Sequence, residues 1–263
     1  MTERCYVYAI LARGVPLPSG LAGLDGAALS VVSWRSLAAA VSILDSAEPR
    51  PTLENLLRHE AVVEAVRSSG PALPVRFGTV MAGLGAVEQA LSERYTVLSA
   101  DLARLGDKVE MGLAVLWDPE ELDGKQSCEG RDDEFGVDPI SQSGPGARYL
   151  MGRLTQHREE ILLRSRAQAL AKDVDDLLRH NALQTQRVVL PTSHLALRAA
   201  YLLEPSRVGA FRGAFEEVRQ ARPYLRLLLS GPWPPYSFVT PQDTLSSVLL
   251  DRLGASTLAH VMR

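Results

Sequence analysis

Few side chains in this sequence combine the types and spacing that chemistry requires. His59-Glu60 and His157-Arg158-Glu159-Glu160 set carboxylates beside imidazoles, an arrangement used for proton transfer or for holding a metal. No second histidine or cysteine follows either at the i+3 or i+4 spacing that puts two ligands on one helix face, so both read as surface or interface histidines. Gly83-Leu84-Gly85 lacks the third glycine and downstream acid of a dinucleotide site, and no phosphate-cradling GxxxxGK[ST] occurs. These glycines read as a helix start. A G-x-S-x-G turn for a nucleophilic serine is also absent. Cys5 has only Arg4 as a basic neighbour, and strand alternation sends that side chain to the opposite face, so Cys5 reads as core. Cys128 lies far away in a stretch that reads as a loop, and free thiols rather than a disulfide are expected. On this count the sequence encodes no catalytic set, no cofactor site and no metal site.

Two acidic or charged features remain. Between Asp118 and Asp138 nine acids face only Lys125 and Arg131, with glycines and prolines interleaved. Carboxylates are calcium ligands, but the ordered D-x-D-x-D-G spacing with its terminal Glu is missing, so a solvated linker over 118–145 is expected. Arg76 is the single candidate for a buried charge, inside the apolar run Val75-Arg76-Phe77. An outward-facing arginine is the plain reading. The sharper one is a bidentate pair with Glu60 or Glu64 that locks helix to sheet.

The elements that must position these groups follow from periodicity and punctuation. Residues 4–11, 29–33 and 37–44 read as short apolar strands, and Thr52 caps a helix reaching Ser69, with Gly70-Pro71 ending it. A buried strand over 74–81, a helix over 86–105 and an alternating strand over 108–117 complete a βββαβαβ order with helices on one face of a mainly antiparallel sheet. Beyond the linker a long helix over 147–181 carries the stripes Ala147, Leu150, Leu154, Ile161 and Leu163, Ala167, Leu170, Val174, Leu177, expected to pack on its own sheet. Strands over 185–190 and 195–203, a helix over 205–220 and a strand over 224–229 follow. The fold class is α+β, with domains at 1–117 and 146–239 and a C-terminal tail at 240–263. In that tail Thr240-Pro241-Gln242-Asp243 has the chemistry of a helix start, predicting a helix over 241–253.

Composition bounds the function. The chain has 263 residues, 46% hydrophobic, and a net charge of −3. Without a basic cluster, and with 6% aromatics, it makes a poor nucleic-acid binder. No apolar run reaches a membrane span and no signal peptide is legible, so a cytoplasmic chain is expected.

One stretch is too costly for an ordinary segment: Gly231-Pro232-Trp233-Pro234-Pro235-Tyr236-Ser237-Phe238-Val239. Its three prolines fix φ near about −65° and remove three donors, so an extended, polyproline-like run is expected rather than a central strand. This run resembles the signature of the gas vesicle protein GvpF/GvpL family. Pro74-Val75-Arg76-Phe77-Gly78-Thr79-Val80 is similar to a second family segment. Tyr6-Val7-Tyr8-Ala9-Ile10, His59-Glu60-Ala61-Val62-Val63 and Gly146-Ala147-Arg148-Tyr149-Leu150 also resemble it. The resemblance implies a modified ferredoxin-like first domain and a non-enzymatic accessory or minor component of gas vesicles. It further implies contact with the hydrophobic shell protein GvpA and other accessory proteins. Arg76, Phe77, Gly78, Trp233, Pro234, Pro235 and Tyr236 are then the partner-binding or structural motif residues. A small-molecule-binding or catalytic domain on the same scaffold is the competing class, because fold alone does not choose between them.

Overall fold

The computed structural model describes residues 4–44, 49–116, 145–189, 195–223 and 225–241. The chain divides into two compact units, residues 1–107 with 234–263, and residues 108–233. Both are mixtures of helices with an antiparallel sheet.

In the first unit, strands β1 (Arg4–Ala12), β2 (Leu29–Trp34), β3 (Leu37–Leu44) and β4 (Ala72–Pro74) pair in the order β2-β3-β1-β4, and the short β5 (Val80–Met81) also pairs with β1. β1 and β3 are buried along almost their whole length. Runs of that kind require cover on both faces. A register shift between Val7 and Ala9 adjusts the alternation of β1. Tyr6, Tyr8, Ala9 and Leu11 thereby share a core with Val62, Val63 and Val66 of helix α1 (Leu53–Ser69). Val7 and Ile10 instead face Val87 and Leu91 of α2 (Gly83–Glu93) and Leu98 of α3 (Tyr95–Leu105). Helices therefore cover both faces of this sheet, which corrects the expectation of one covered face.

Local chemistry explains the boundaries. The Thr52 hydroxyl accepts from the Asn55 amide at 3.2 Å, as expected of an N-cap. The strand expected over 74–81 is broken: Thr79 Oγ1 donates to the Arg76 carbonyl at 2.8 Å and Gly78 takes φ 85°, which folds 75–79 into a turn between β4 and β5. The helix expected over 86–105 is two helices, interrupted at Arg94 (φ −103°, ψ 13°). Its guanidinium bonds the Thr240 carbonyl at 2.9 Å, a long-range contact that no local signal announces.

The second unit has β6 (Val109–Leu116), β7 (Gln184–Val189), β8 (Leu195–Leu203) and β9 (Arg226–Trp233) in the order β7-β8-β6-β9. The strand expected to close the first domain, 108–117, is thus β6, and it lies at the middle of the second sheet. It skips its sequence neighbours because its hydrogen-bonding partners, β8 and β9, come much later in the chain. Helices α4 (Pro145–Leu178) and α5 (Val208–Ala221) pack on one face of this sheet. Met111, Leu113 and Val115 of β6 meet Val174, Leu178, Phe211 and Phe215 there. Only the later part of α4 follows the expected packing. Ala167, Ala171, Val174 and Leu178 are buried, whereas Leu150, Leu154, Ile161 and Leu177 are exposed.

β9 corrects the reading of the proline-rich run. The strand continues through Pro232 to Trp233, opposite Glu110, because it is an edge strand and a register shift between Glu110 and Gly112 accommodates the ring. Gly231 is needed there: at φ 107° a Cβ would sit 2.7 Å from the Glu110 carbonyl oxygen. The acidic segment 118–144 and the helix expected over 241–253, beyond Pro241, lie outside the described residues.

Candidate functional site

The residues of four sequence motifs converge in the core of the first unit. β1 supplies Tyr6 and Tyr8, α1 supplies His59 and Glu60, the turn after β4 supplies Val75, Phe77 and Gly78, and the segment after Trp233 supplies Tyr236. His59 is 1% exposed, not a surface residue as its isolated position in the sequence suggested. The reason is periodic: His59, Val62, Val63 and Val66 fall on one face of α1, and that face is the buried one. This i, i+3, i+4, i+7 pattern was the signal that could have placed it.

The hydrogen bonds fix the protonation state. His59 Nε2 lies 2.9 Å from the Val75 carbonyl, which can only accept, so Nε2 carries the proton. Nδ1 is then an acceptor for the Tyr6 hydroxyl at 3.0 Å. Tyr6 in turn accepts from the Gly78 amide at 3.0 Å, which ties the turn glycine to the same chain of bonds. Tyr236 Oη lies 3.3 Å from His59 Nε2, and its hydroxyl donates to the Glu60 carboxylate. Burial pushes the imidazole down to about 4, against a smaller opposing effect of the Val75 carbonyl. Burial also raises Tyr6, Tyr236 and the Glu60 carboxyl, and the Glu60 charge raises Tyr236 further. The rings stack as well as bond: Tyr8 lies over His59 at 5.7 Å and 26°, and Phe77 meets His59 edge-on at 5.7 Å and 84°. Beside them the Tyr8 hydroxyl bonds Ser42 at 2.9 Å and accepts from the Leu24 amide at 2.8 Å.

A second set of bonds holds the segment that carries Tyr236. Asp101 of α3, 3% exposed, accepts from the Thr240 amide at 2.8 Å and from its hydroxyl at 3.1 Å. Arg104 pairs with Asp101 at 2.7 Å and donates to the Phe238 carbonyl at 2.9 Å. Pro234 and Pro235 are buried, and the chain turns through them, with the Tyr236 amide bonding the Pro234 carbonyl at 2.8 Å.

Of the motif residues read from the sequence, Phe77, Gly78 and Tyr236 meet in this cluster. Arg76 is exposed in the turn and forms no ion pair with Glu60 or Glu64. Glu60 engages Tyr236 instead, while Arg76 lines a cavity with Val87 and Leu91 of α2. Trp233 belongs to the second unit and is 49% exposed. Cys5 is fully buried, as expected of a core thiol. Among the described residues no group of three or more histidines, cysteines and acids could hold a metal. With both ring nitrogens engaged and almost no exposure, His59 offers its neighbours orientation rather than offering a substrate a base.

The fold is shared with solved structures of one kind. The crystal structure of the gas vesicle protein GvpF from Anabaena sp. PCC7120 is similar at TM-score 0.71 and 21% identity, covering 92% of this chain and 98% of that one. That of GvpF from Microcystis aeruginosa is similar at 0.67 and 22%, covering 92% and 100%. The family described as gas vesicle synthesis protein GvpL/GvpF matches residues 4–240, and the chain belongs to it. Gas vesicle protein F of Streptomyces sp. (strain CB03234) is 27% identical over 236 residues, 89% of this chain and 98% of that protein. Gas vesicle protein L2 of Halobacterium salinarum is 27% identical over 258 residues, 90% and 92% of the two chains. Among the described residues no helix is long and apolar enough to cross a membrane.

Proposed function

We propose that this chain is a non-catalytic accessory or minor structural protein that works in the cytoplasm and at the gas vesicle, binding the hydrophobic shell protein GvpA and assisting its assembly. The family match over residues 4–240 carries this reading. The site supports it, because the side chains of Tyr6, His59 and Tyr236 and the Gly78 amide are committed to one another rather than directed at a substrate. A wall-forming subunit exposes strand edges and apolar surface before assembly, and a folded partner that covers them keeps it soluble. Exposed Trp233 and Arg76 are the motif residues available for such contact, while Phe77, Gly78, Pro234, Pro235 and Tyr236 act as structure. We further assign both units to the ferredoxin-like class. The second has the order βαββαβ, and in the first a loop with a 3-10 turn at Leu24–Gly26 stands where that order has its first helix.

Co-expression with GvpA tests the function. GvpA should co-purify with the chain and shift into the soluble fraction. If it does neither, the assembly reading fails.

A further inference from the structure

A cavity of about 150 Å³ opens between the first sheet and helices α2 and α3, and Tyr236 of the histidine cluster lines part of it. Val7 and Ile10 of β1, Val87 and Leu91 of α2 and Leu98 of α3 make its apolar wall. Among the described residues the charged groups at its edge are the arginines Arg76 and Arg94, and no acid lines it. Arg94 is partly engaged, bonding the Thr240 and Pro241 carbonyls at 2.9 and 3.4 Å. Arg76 is exposed, and its guanidinium enters none of the ion pairs of the described residues.

Size decides what fits. Sites for metabolites and cofactors are roughly 300–1,000 Å³, whereas a cavity of about 150 Å³ holds a benzene-sized group. That volume admits one branched aliphatic or aromatic side chain, the unit by which a peptide anchors itself. Two guanidiniums at the edge with no compensating acid select a carboxylate next to that anchor, since an arginine fork matches a carboxylate geometrically as well as in charge.

We propose that this cavity is a socket for an acidic peptide segment of a protein partner, taking one aliphatic or aromatic side chain into the apolar wall and a neighbouring Asp or Glu onto Arg76. The proposal rests on the assembly reading for the choice of partner. It gives the exposed Arg76 of the turn a role that the buried cluster does not supply.

Fluorescein-labelled peptides of about 15 residues tiling GvpA, titrated against the full chain by anisotropy, test it. At least one tile carrying an acid within two residues of an aliphatic or aromatic residue should bind. Arg76→Glu should weaken that tile at least tenfold, as should Ala90→Trp, which fills the cavity. Arg50→Glu, an exposed arginine outside the cavity, should leave binding unchanged. Because Arg76 is exposed, its variant reports on binding even if Ala90→Trp fails to fold. The proposal is overturned if no tile binds the wild-type chain, or if Arg76→Glu binds as tightly as wild type. If GvpA still co-purifies in either event, the assembly reading survives. If tiles bind through Arg76 but intact GvpA neither co-purifies nor becomes more soluble, the socket stands and the assembly reading falls.

Discussion

The two units bury comparable helices against comparable antiparallel sheets, yet their cores are built differently. Beneath α1 the first core is polar at its centre: His59, Tyr6, Tyr236 and Glu60 form one chain of hydrogen bonds, flanked by Tyr8 and Ser42. Beneath α4 and α5 the second core is filled by Val174, Leu178, Phe211 and Phe215, and Tyr201 packs on Phe211 with centroids 5.0 Å apart. Its polar contact of note is Asp175, which pairs with Arg187 at 3.1 Å; burial first, and then this carboxylate, raise the neighbouring Tyr201 hydroxyl. Apolar packing accepts many side chains of similar volume, whereas a buried polar network is favourable only when every member finds its partner. The first unit therefore depends on particular residue identities contributed by separate parts of the chain, including one segment that arrives only after the second unit is complete.

The largest effects test whether that difference is real. His59→Ala should destabilise the first unit by about 3–5 kcal/mol, combining a cavity with a Tyr6 hydroxyl left without its acceptor. Phe211→Ala should cost the second unit a similar ~3–5 kcal/mol by cavity formation alone. Urea unfolding followed by unit-specific hydrogen exchange would read both. A mild effect of His59→Ala would mean that its network relaxes as easily as an apolar contact.

Acid should separate the units next. The unfolded chain protonates the His59 imidazole near 6.5, and the folded chain only near about 4. The associated stability is complete above pH 6.5 and is lost as the pH falls toward 4, amounting to about 3 kcal/mol. Glu60, raised by burial, acts in the opposite sense, favouring the fold at low pH and losing that contribution as the pH rises through its folded value. Denaturation profiles at pH 7, 5.5 and 4 should show this slope in the first unit, and His59→Gln should flatten it. A wild-type slope unaffected by His59→Gln would assign the titration to another group.

Backbone constraints give smaller, graded effects. Gly231→Ala should cost about 2–3 kcal/mol, since it combines a positive φ with a clash against the Glu110 carbonyl. Gly78→Ala meets open space and should cost about 1 kcal/mol from φ alone. Melting temperatures should keep that order, and its reversal would show that the Gly78 turn is packed more tightly than β9.

Much of this was legible in the sequence where local signals suffice. The first three strands, the Thr52 cap and the extent of α4 follow from alternation, capping chemistry and helical spacing within a few residues. Three features were not legible because their causes are distant. Arg94 is a good helix former, yet the helix breaks there and its side chain bonds the distant Thr240 carbonyl. Residues 109–116 alternate like any strand, and nothing local says that their partners begin at Leu195 and Arg226. The two motifs around Arg76 and Tyr236 did not say which of their residues meet in the core and which face outward. The plain reading of Arg76 as outward-facing holds and the sharper one, a pair with Glu60 or Glu64, does not, while His59, expected at the surface, is buried beside that same Glu60.

The central claim is that Tyr6 and Tyr236 act through the same imidazole to hold the returning segment in the first unit. A double-mutant cycle of Tyr6→Phe and Tyr236→Phe, measured by urea unfolding at pH 7, tests it most directly. Each change removes one oxygen from opposite sides of His59 and leaves ring packing in place. The account predicts a coupling of about 1 kcal/mol, above the ~0.3–0.5 kcal/mol within which independent sites add. Strict additivity of the two substitutions would contradict it.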